Sequence, residues 1–155
     1  MAKKTKTQKI VQIKKIVKKL LDQLEVKTEI EITSDEDIYQ VQLETEDPGI
    51  LIGYHGETLR AIQKMVAMIN YRQLGEWQRI IVNVGDYRQR RQNSLEKMAL
   101  AAAQKARFSQ KPQPLPPMSS AERRIIHLAL TDQIDIETVS EGEGRIRHVV
   151  IRPKA

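Results

Sequence analysis

The apolar residues of this sequence change period repeatedly along 155 residues and never hold one period for long. Ile10, Ile13, Val17, Leu20 and Leu24 recur at spacings of three and four, one face of an amphipathic helix. Val26, Thr28, Ile30 and Ile32 then alternate with Lys27, Glu29 and Glu31, the period of a half-buried strand. Ser34-Asp35-Glu36-Asp37 reads as a turn, and Tyr39, Val41 and Leu43 alternate again, so a hairpin is expected. Asp47-Pro48-Gly49 breaks the chain before a short apolar run, and Leu59, Ile62, Val66 and Ile69 return to helical spacing up to Leu74-Gly75. Arg79 to Val84 alternates as a third strand. A long helix is expected from Asp86, with Leu95, Met98, Ala99, Ala102 and Ala106 on its apolar face. The order so read is helix, strand, strand, short helix, glycine-bracketed turn, helix, strand, and the expected class is α+β.

The end of the chain repeats this alternation on a smaller scale. Residues 109–118 are proline-rich, which predicts an extended, stiff joint. Ser119 and Glu122 have the spacing of a capping box, so a helix should start there and run to Thr131. Ile134 and Ile136 predict a strand, residues 140–144 a hairpin loop, and Arg145 to Arg152 the return strand. The expected divisions are a loose lysine-rich arm over 1–8, a first domain over 9–85, and a second over 86–155 that includes its leading helix and the proline-rich joint.

Charge is laid out in blocks. Residues 1–20 hold eight Lys and no acid, residues 21–50 ten acids against Lys27, and residues 51–117 eleven bases against four acids. The net charge is +6, which favours a polyanionic partner. There is no Cys, so disulfides, thiolate metal sites and thiol nucleophiles are excluded. No apolar run approaches the roughly 18 residues of a bilayer span, and no signal peptide is legible. The first helix is basic and amphipathic, but it leads directly into strands that need a covering helix, so membrane insertion is not expected. A cytoplasmic location fits this composition.

Two residue groups carry binding chemistry. Gly53-Tyr54-His55-Gly56 brackets a two-residue tip with glycines, between an apolar run and an apolar helix. Glycine allows dihedrals and close approaches that a Cβ forbids, and the amides that follow can face a phosphate. The alternative is a plain turn between helices. In Arg123-Arg124-Ile125-Ile126-His127, Arg123 and His127 are four residues apart and share a helix face. A guanidinium beside an imidazole suits a phosphate, while a solvated helix surface is the plainer reading. Between these groups, Arg88, Arg90 and Arg91 crowd the start of the long helix against its macrodipole, which suggests that they serve a contact.

The run from Gly49 to Leu59, set in the order helix–strand–strand–helix–helix–strand, resembles the heart of a type II KH domain (αββααβ). Leu115 to His127, Thr138 to Gly142 and Arg145 to Pro153 resemble the R-x-x-x-H, or R-three-H, domain, a small α/β single-stranded nucleic-acid binder. Joined by Asp86 to Arg91, the pair resembles the Jag/KhpB family of bacterial RNA-binding proteins. This resemblance implies RNA contacts at Ile52, Gly53, Tyr54, His55, Gly56 and Arg60, at Arg88, Arg90 and Arg91, at Arg123, Arg124 and His127, and at Arg145 and Arg147. Ile52 and Ile62 would line a groove for the bases. The family usually has a basic GxxG tip, whereas Tyr54-His55 stands here, and many members carry a further N-terminal domain. The resemblance also allows pairing with a second small KH protein in control of cell elongation and division.

Enzyme readings find no support. No Walker A motif is present, and His55, His127 and His148 lack zincin spacing. His127 follows Ser120 too closely for a triad. No cofactor, metal or small-molecule substrate is expected. The expected function is non-catalytic binding of single-stranded RNA at two sites that the proline-rich joint links, as a post-transcriptional regulator or RNA chaperone.

Overall fold

The structure, a computed structural model, describes residues 5–154. The chain divides into two compact units, one ending at Arg88 and the other beginning at Gln89. Each has its own sheet and its own apolar core.

The first unit opens with helix α1 (Lys6–Gln23), followed by strands β1 (Glu29–Asp35) and β2 (Ile38–Glu44). Helix α2 (Pro48–Ile52), a 3₁₀ turn (Tyr54–Gly56) and helix α3 (Glu57–Leu74) lead to β3 (Arg79–Val84). The sheet order is β1-β2-β3. β1 and β2 are antiparallel, with Ile32 opposite Val41. β2 and β3 are parallel, with Val41 opposite Val82. A parallel pair needs a crossover, and α2, the turn and α3 are that crossover. Period two sends Tyr39, Val41 and Leu43 of β2 and Ile80, Val82 and Val84 of β3 to one buried face. Ile13, Val17 and Leu21 of α1 and Leu59, Ile62 and Val66 of α3 complete the same core. Each such side chain contributes roughly 1.5–3 kcal/mol by leaving water.

Helix α1 starts earlier than its apolar stripe. Thr5 accepts from the Gln8 amide, and the Gln8 side chain accepts from the Thr5 amide, a capping box. The expected loose arm over 1–8 is therefore corrected: Lys6 to Gln8 are helical, and residues 1–4 lie outside the described residues.

The second unit contains most of helix α4 (Tyr87–Ser109), then β4 (Gln113–Pro114), helix α5 (Ser120–Ala129), β5 (Ile136–Glu141) and β6 (His148–Pro153). Its sheet order is β4-β6-β5. Leu95, Ala99, Ala103 and Ala106 face the core every three or four residues, with Ile126, Leu130, Ile136, Val149 and Ile151. The Ser119–Glu122 capping box forms as its spacing predicts.

Three expectations are corrected here. The proline-rich segment does not link the two binding sites, since both its ends belong to the second unit. Gln113 and Pro114 pair with Ile151 and Val150, the Leu115 amide donates to the Val149 carbonyl at 2.8 Å, and Leu115 is buried. Proline lacks an amide donor, so it is tolerated in an edge strand such as this one. The strand expected from Ile134 begins at Ile136; Ile134 is 88% exposed in the preceding turn. There Arg107 holds Asp135 through Nε and Nη2, at 2.5 and 2.9 Å. The return strand begins at His148, because Gly142 and Gly144 take positive φ and residues 144–146 form a 3₁₀ turn.

Glu122, only 7% exposed, accepts from Arg91 Nε at 2.8 Å and from the Ser119 amide and hydroxyl. Burial alone would raise its carboxyl, but the hydrogen bonds from Arg91 and Ser119 outweigh burial and hold it below the ordinary glutamate value. A depressed carboxyl stabilises the fold above its unfolded value, about 4.3, and that contribution is lost as pH falls through the folded value. Arg91→Gln should destabilise the second unit by about 1–3 kcal/mol at neutral pH. It should also flatten the acid limb of stability against pH. Urea unfolding followed across that pH range checks both, and an unaltered acid limb would rule out the pair as its source.

Candidate nucleic-acid interface

The GxxG turn is built from three positive-φ residues. Gly53 has φ 68° and ψ −170°, His55 φ 48° and ψ 33°, and Gly56 φ 80° and ψ 14°. A Cβ at Gly53 would lie 2.0 Å from Thr58 Oγ1 and 3.0 Å from the Thr58 amide nitrogen, so only glycine fits. A Cβ at Gly56 would press on the Tyr87 ring at 3.1 Å. Tyr54 is 73% exposed and stacks on His55, with ring centroids 4.0 Å apart. The tip is therefore aromatic where a basic tip would supply charge.

No side chain caps the start of α3: the Gly56 and Glu57 amides close the 3₁₀ turn onto the Gly53 and Tyr54 carbonyls, and no side chain takes the amides that follow. Arg60 Nη1 donates to the His55 carbonyl at 3.0 Å and closes the turn from the helix side. Arg88 Nη2 donates to Gln63 Oε1 and to the Val82 carbonyl, both at 2.9 Å. Gln63 Oε1 also accepts from the Val82 amide, so this one side chain ties α3, β3 and Arg88 together. Burial first, and then the nearby Arg60 cation, lower the Arg88 guanidinium from its ordinary value, with Tyr87 acting the other way. Neither Arg60 nor Arg88 has a carboxylate within ion-pair distance among the described residues. Arg60 at the turn and Arg88 at Gln63 bring two cations to this side of α3, against the exposed Glu57 carboxylate in its first turn.

Beside this turn, Ile52 is half-buried and Ile62 is buried in the core. The expectation that Ile62 lines an open groove is therefore corrected: α3 turns it inward, 3% exposed, toward the sheet. Arg90 is exposed on the first turn of α4. Arg91 differs from its neighbours, because its guanidinium serves Glu122 inside the second unit. Arg88 and Arg91 thus explain part of the arginine crowding through internal contacts.

In the second unit, α5 presents Arg123, exposed Arg124 and His127. Arg123 Nε is buried without a hydrogen-bond partner among the described residues. His127 does not stand free on the helix surface. Its Nδ1 lies 2.7 Å from Thr138 Oγ1 and its Nε2 3.0 Å from Ser140 Oγ, both on β5. Arg145 is exposed in the 3₁₀ turn, and Arg147 Nη1 donates to the Gly142 carbonyl at 3.0 Å, clasping that loop. The sequence reading overlooked Gln63, Thr58, Thr138 and Ser140. Thr138 and Ser140 carried a usable signal, since two hydroxyl residues at period two share one strand face. The helix residue they meet depends on tertiary packing.

Residues 11–84 match the KhpA/KhpB, KH domain family, and residues 93–153 match the R-three-H domain family. A protein named RNA-binding protein KhpB from Clostridium symbiosum is 36% identical over 125 residues, covering 81% of this chain and 56% of that protein. The protein of the same name from Bacillus subtilis (strain 168) is 29% identical over 147 residues, 94% of this chain and 71% of its own length. That from Lactiplantibacillus plantarum is 32% identical over 134 residues, 83% of this chain and 42% of its own. The chain thus spans about half the length of several relatives it matches. Among the described residues no helix is long and apolar enough to cross a membrane. With a KH domain of the KhpA/KhpB type ahead of an R-three-H domain, and relatives that share both, the chain belongs to the KhpB family of RNA-binding proteins.

Proposed function

We propose that this chain is a non-catalytic binder of single-stranded RNA that acts in the cytoplasm as an RNA chaperone or post-transcriptional regulator. The observation that carries the reading is the glycine-bracketed turn leading into the uncapped start of α3, with the unneutralised cations Arg60 and Arg88 beside it. A phosphodiester against this turn accepts hydrogen bonds from backbone amides and gains from both cations. Exposed Tyr54 and half-buried Ile52 offer flat and apolar surface to neighbouring bases. In the second unit, Arg123, Arg124 and Arg145 are the cations for further phosphates. Backbone contacts of this kind discriminate weakly between sequences.

Binding should weaken steeply with salt. If about four to six phosphates are neutralised, log affinity falls against log salt with a slope near −3 to −4. Fluorescence anisotropy with a labelled single-stranded RNA and the matching duplex measures this. A slope near zero, or equal affinity for duplex, would contradict the reading.

The tip gives a second expected outcome. Tyr54→Asp with His55→Asp places two carboxylates beside the phosphate path and buries neither. Affinity should fall by at least about tenfold, the equivalent of 1.4 kcal/mol, while the thermal melt stays close to that of the parent. Unchanged affinity with an intact melt would leave the turn with a purely structural role.

A second reading has its own observation. Met65, Met68 and Tyr71 expose an apolar stripe on α3, and Trp77 packs against Tyr71 with ring centroids 5.8 Å apart. This face suits a protein partner, and the partner we propose for it is a second small KH protein. Nuclease treatment of the protein purified from its own cells, followed by native mass measurement, separates the readings. Retention of a stoichiometric KH protein supports pairing, and loss of absorbance at 260 nm alone supports RNA.

A further inference from the structure

Thr138 and Ser140 are two residues apart on β5, on the same face as buried Ile136, and pair across the strand with Ile151 and Val149. Their hydroxyls therefore point to the side of the sheet where the core lies, and there they meet the imidazole of His127. A neutral imidazole has one N–H and one lone pair. It donates to one hydroxyl and accepts from the other, and both ring nitrogens are then used. Burial first, and then the Arg123 cation, lower His127 from its ordinary value, so the neutral ring prevails at neutral pH. A ring held in this way has no polar atom left for a phosphate.

Arg123 stands one turn earlier on α5. It has no carboxylate within ion-pair distance among the described residues, and its Nε is buried without a partner. We propose that His127 is a positioning residue rather than an RNA contact: through Thr138 and Ser140 it pins α5 to β5, and this pin presents the Arg123 guanidinium to the nucleic-acid phosphate. Thr138 and Ser140 thereby become necessary for binding without touching the ligand. The inference rests on the RNA-binding reading, and it changes which groups in the second unit act directly.

The test is a set of salt titrations of affinity for a uridine 20-mer. Removing one phosphate contact should lower the magnitude of the salt slope by about 0.7. Arg123→Gln should do this directly. Thr138→Val with Ser140→Ala removes no charge, yet should lower the slope by the same amount and weaken binding about threefold to tenfold, as losing one or two net hydrogen bonds does. His127→Ala should reproduce that result. In the Arg123→Gln background neither change should weaken binding further, because coupled residues are non-additive. The exchange Thr138→Ser with Ser140→Thr keeps both hydroxyls and should bind as the parent does, which guards against a fold defect in the valine variant. Normal slope and affinity in the valine–alanine variant would overturn the inference. So would a further loss from His127→Ala once Arg123 is gone, since the ring would then be a contact in its own right. Failure of the parent to bind the 20-mer would instead remove the RNA reading, and with it the role assigned to the pin.

Discussion

Parallel strands cannot be joined by a tight turn, and β2 and β3 are parallel. Residues 45–78 must therefore carry the chain from one end of the sheet back to the other, and they do so as two helices joined by the glycine turn. Pro48 starts α2 at a position where its missing amide costs nothing. Gly53 then turns the backbone so tightly that a Cβ would collide with Thr58. Leu51 and Leu59, on either side of the turn, are both buried, so the sheet core anchors both its ends. A loop held in this way keeps its amides in place before any ligand arrives, and preorganisation of this kind lowers the cost of binding.

The arginines sort by whether the fold already neutralises them. Arg91, Arg107 and Arg152 each meet a carboxylate, on Glu122, Asp135 and Glu141. Those pairs bind α4 to α5, α4 to the turn before β5, and β6 to β5. Arg60, Arg88 and Arg123 have no such partner among the described residues, although the first two donate to carbonyl or amide oxygens. Under the proposed function, an RNA phosphate is the anion this second group would meet. Net charge of +6 does not distinguish the two groups; their placement does.

Much of this was legible along the chain because local periodicity reports burial. The alternation Ile80, Val82, Val84 marks β3 with its observed bounds, and Ser119 with Glu122 marks the start of α5. The glycine pair marked the turn. Features that depend on distant partners were hidden. Period two says which face a strand buries but not which neighbour it pairs with, so the parallel β2–β3 contact and the β4–β6 pairing of the proline-rich segment were not visible. Thr5 capped α1 from within a lysine-rich stretch that offers no apolar signal. Arg91 looked like its neighbours until Glu122, 31 residues away, claimed it. His127 looked like a surface group until β5 supplied two hydroxyls.

The central claim is that backbone amides of the glycine turn meet the RNA. Amide chemical shifts of the isotope-labelled chain, recorded during titration with a short single-stranded RNA, read those groups directly. The account predicts the largest shifts at Gly53 to Leu59, with a second set at Arg123 to His127. Shifts confined to Met65, Met68, Tyr71 and Trp77, with the turn unmoved, would contradict it.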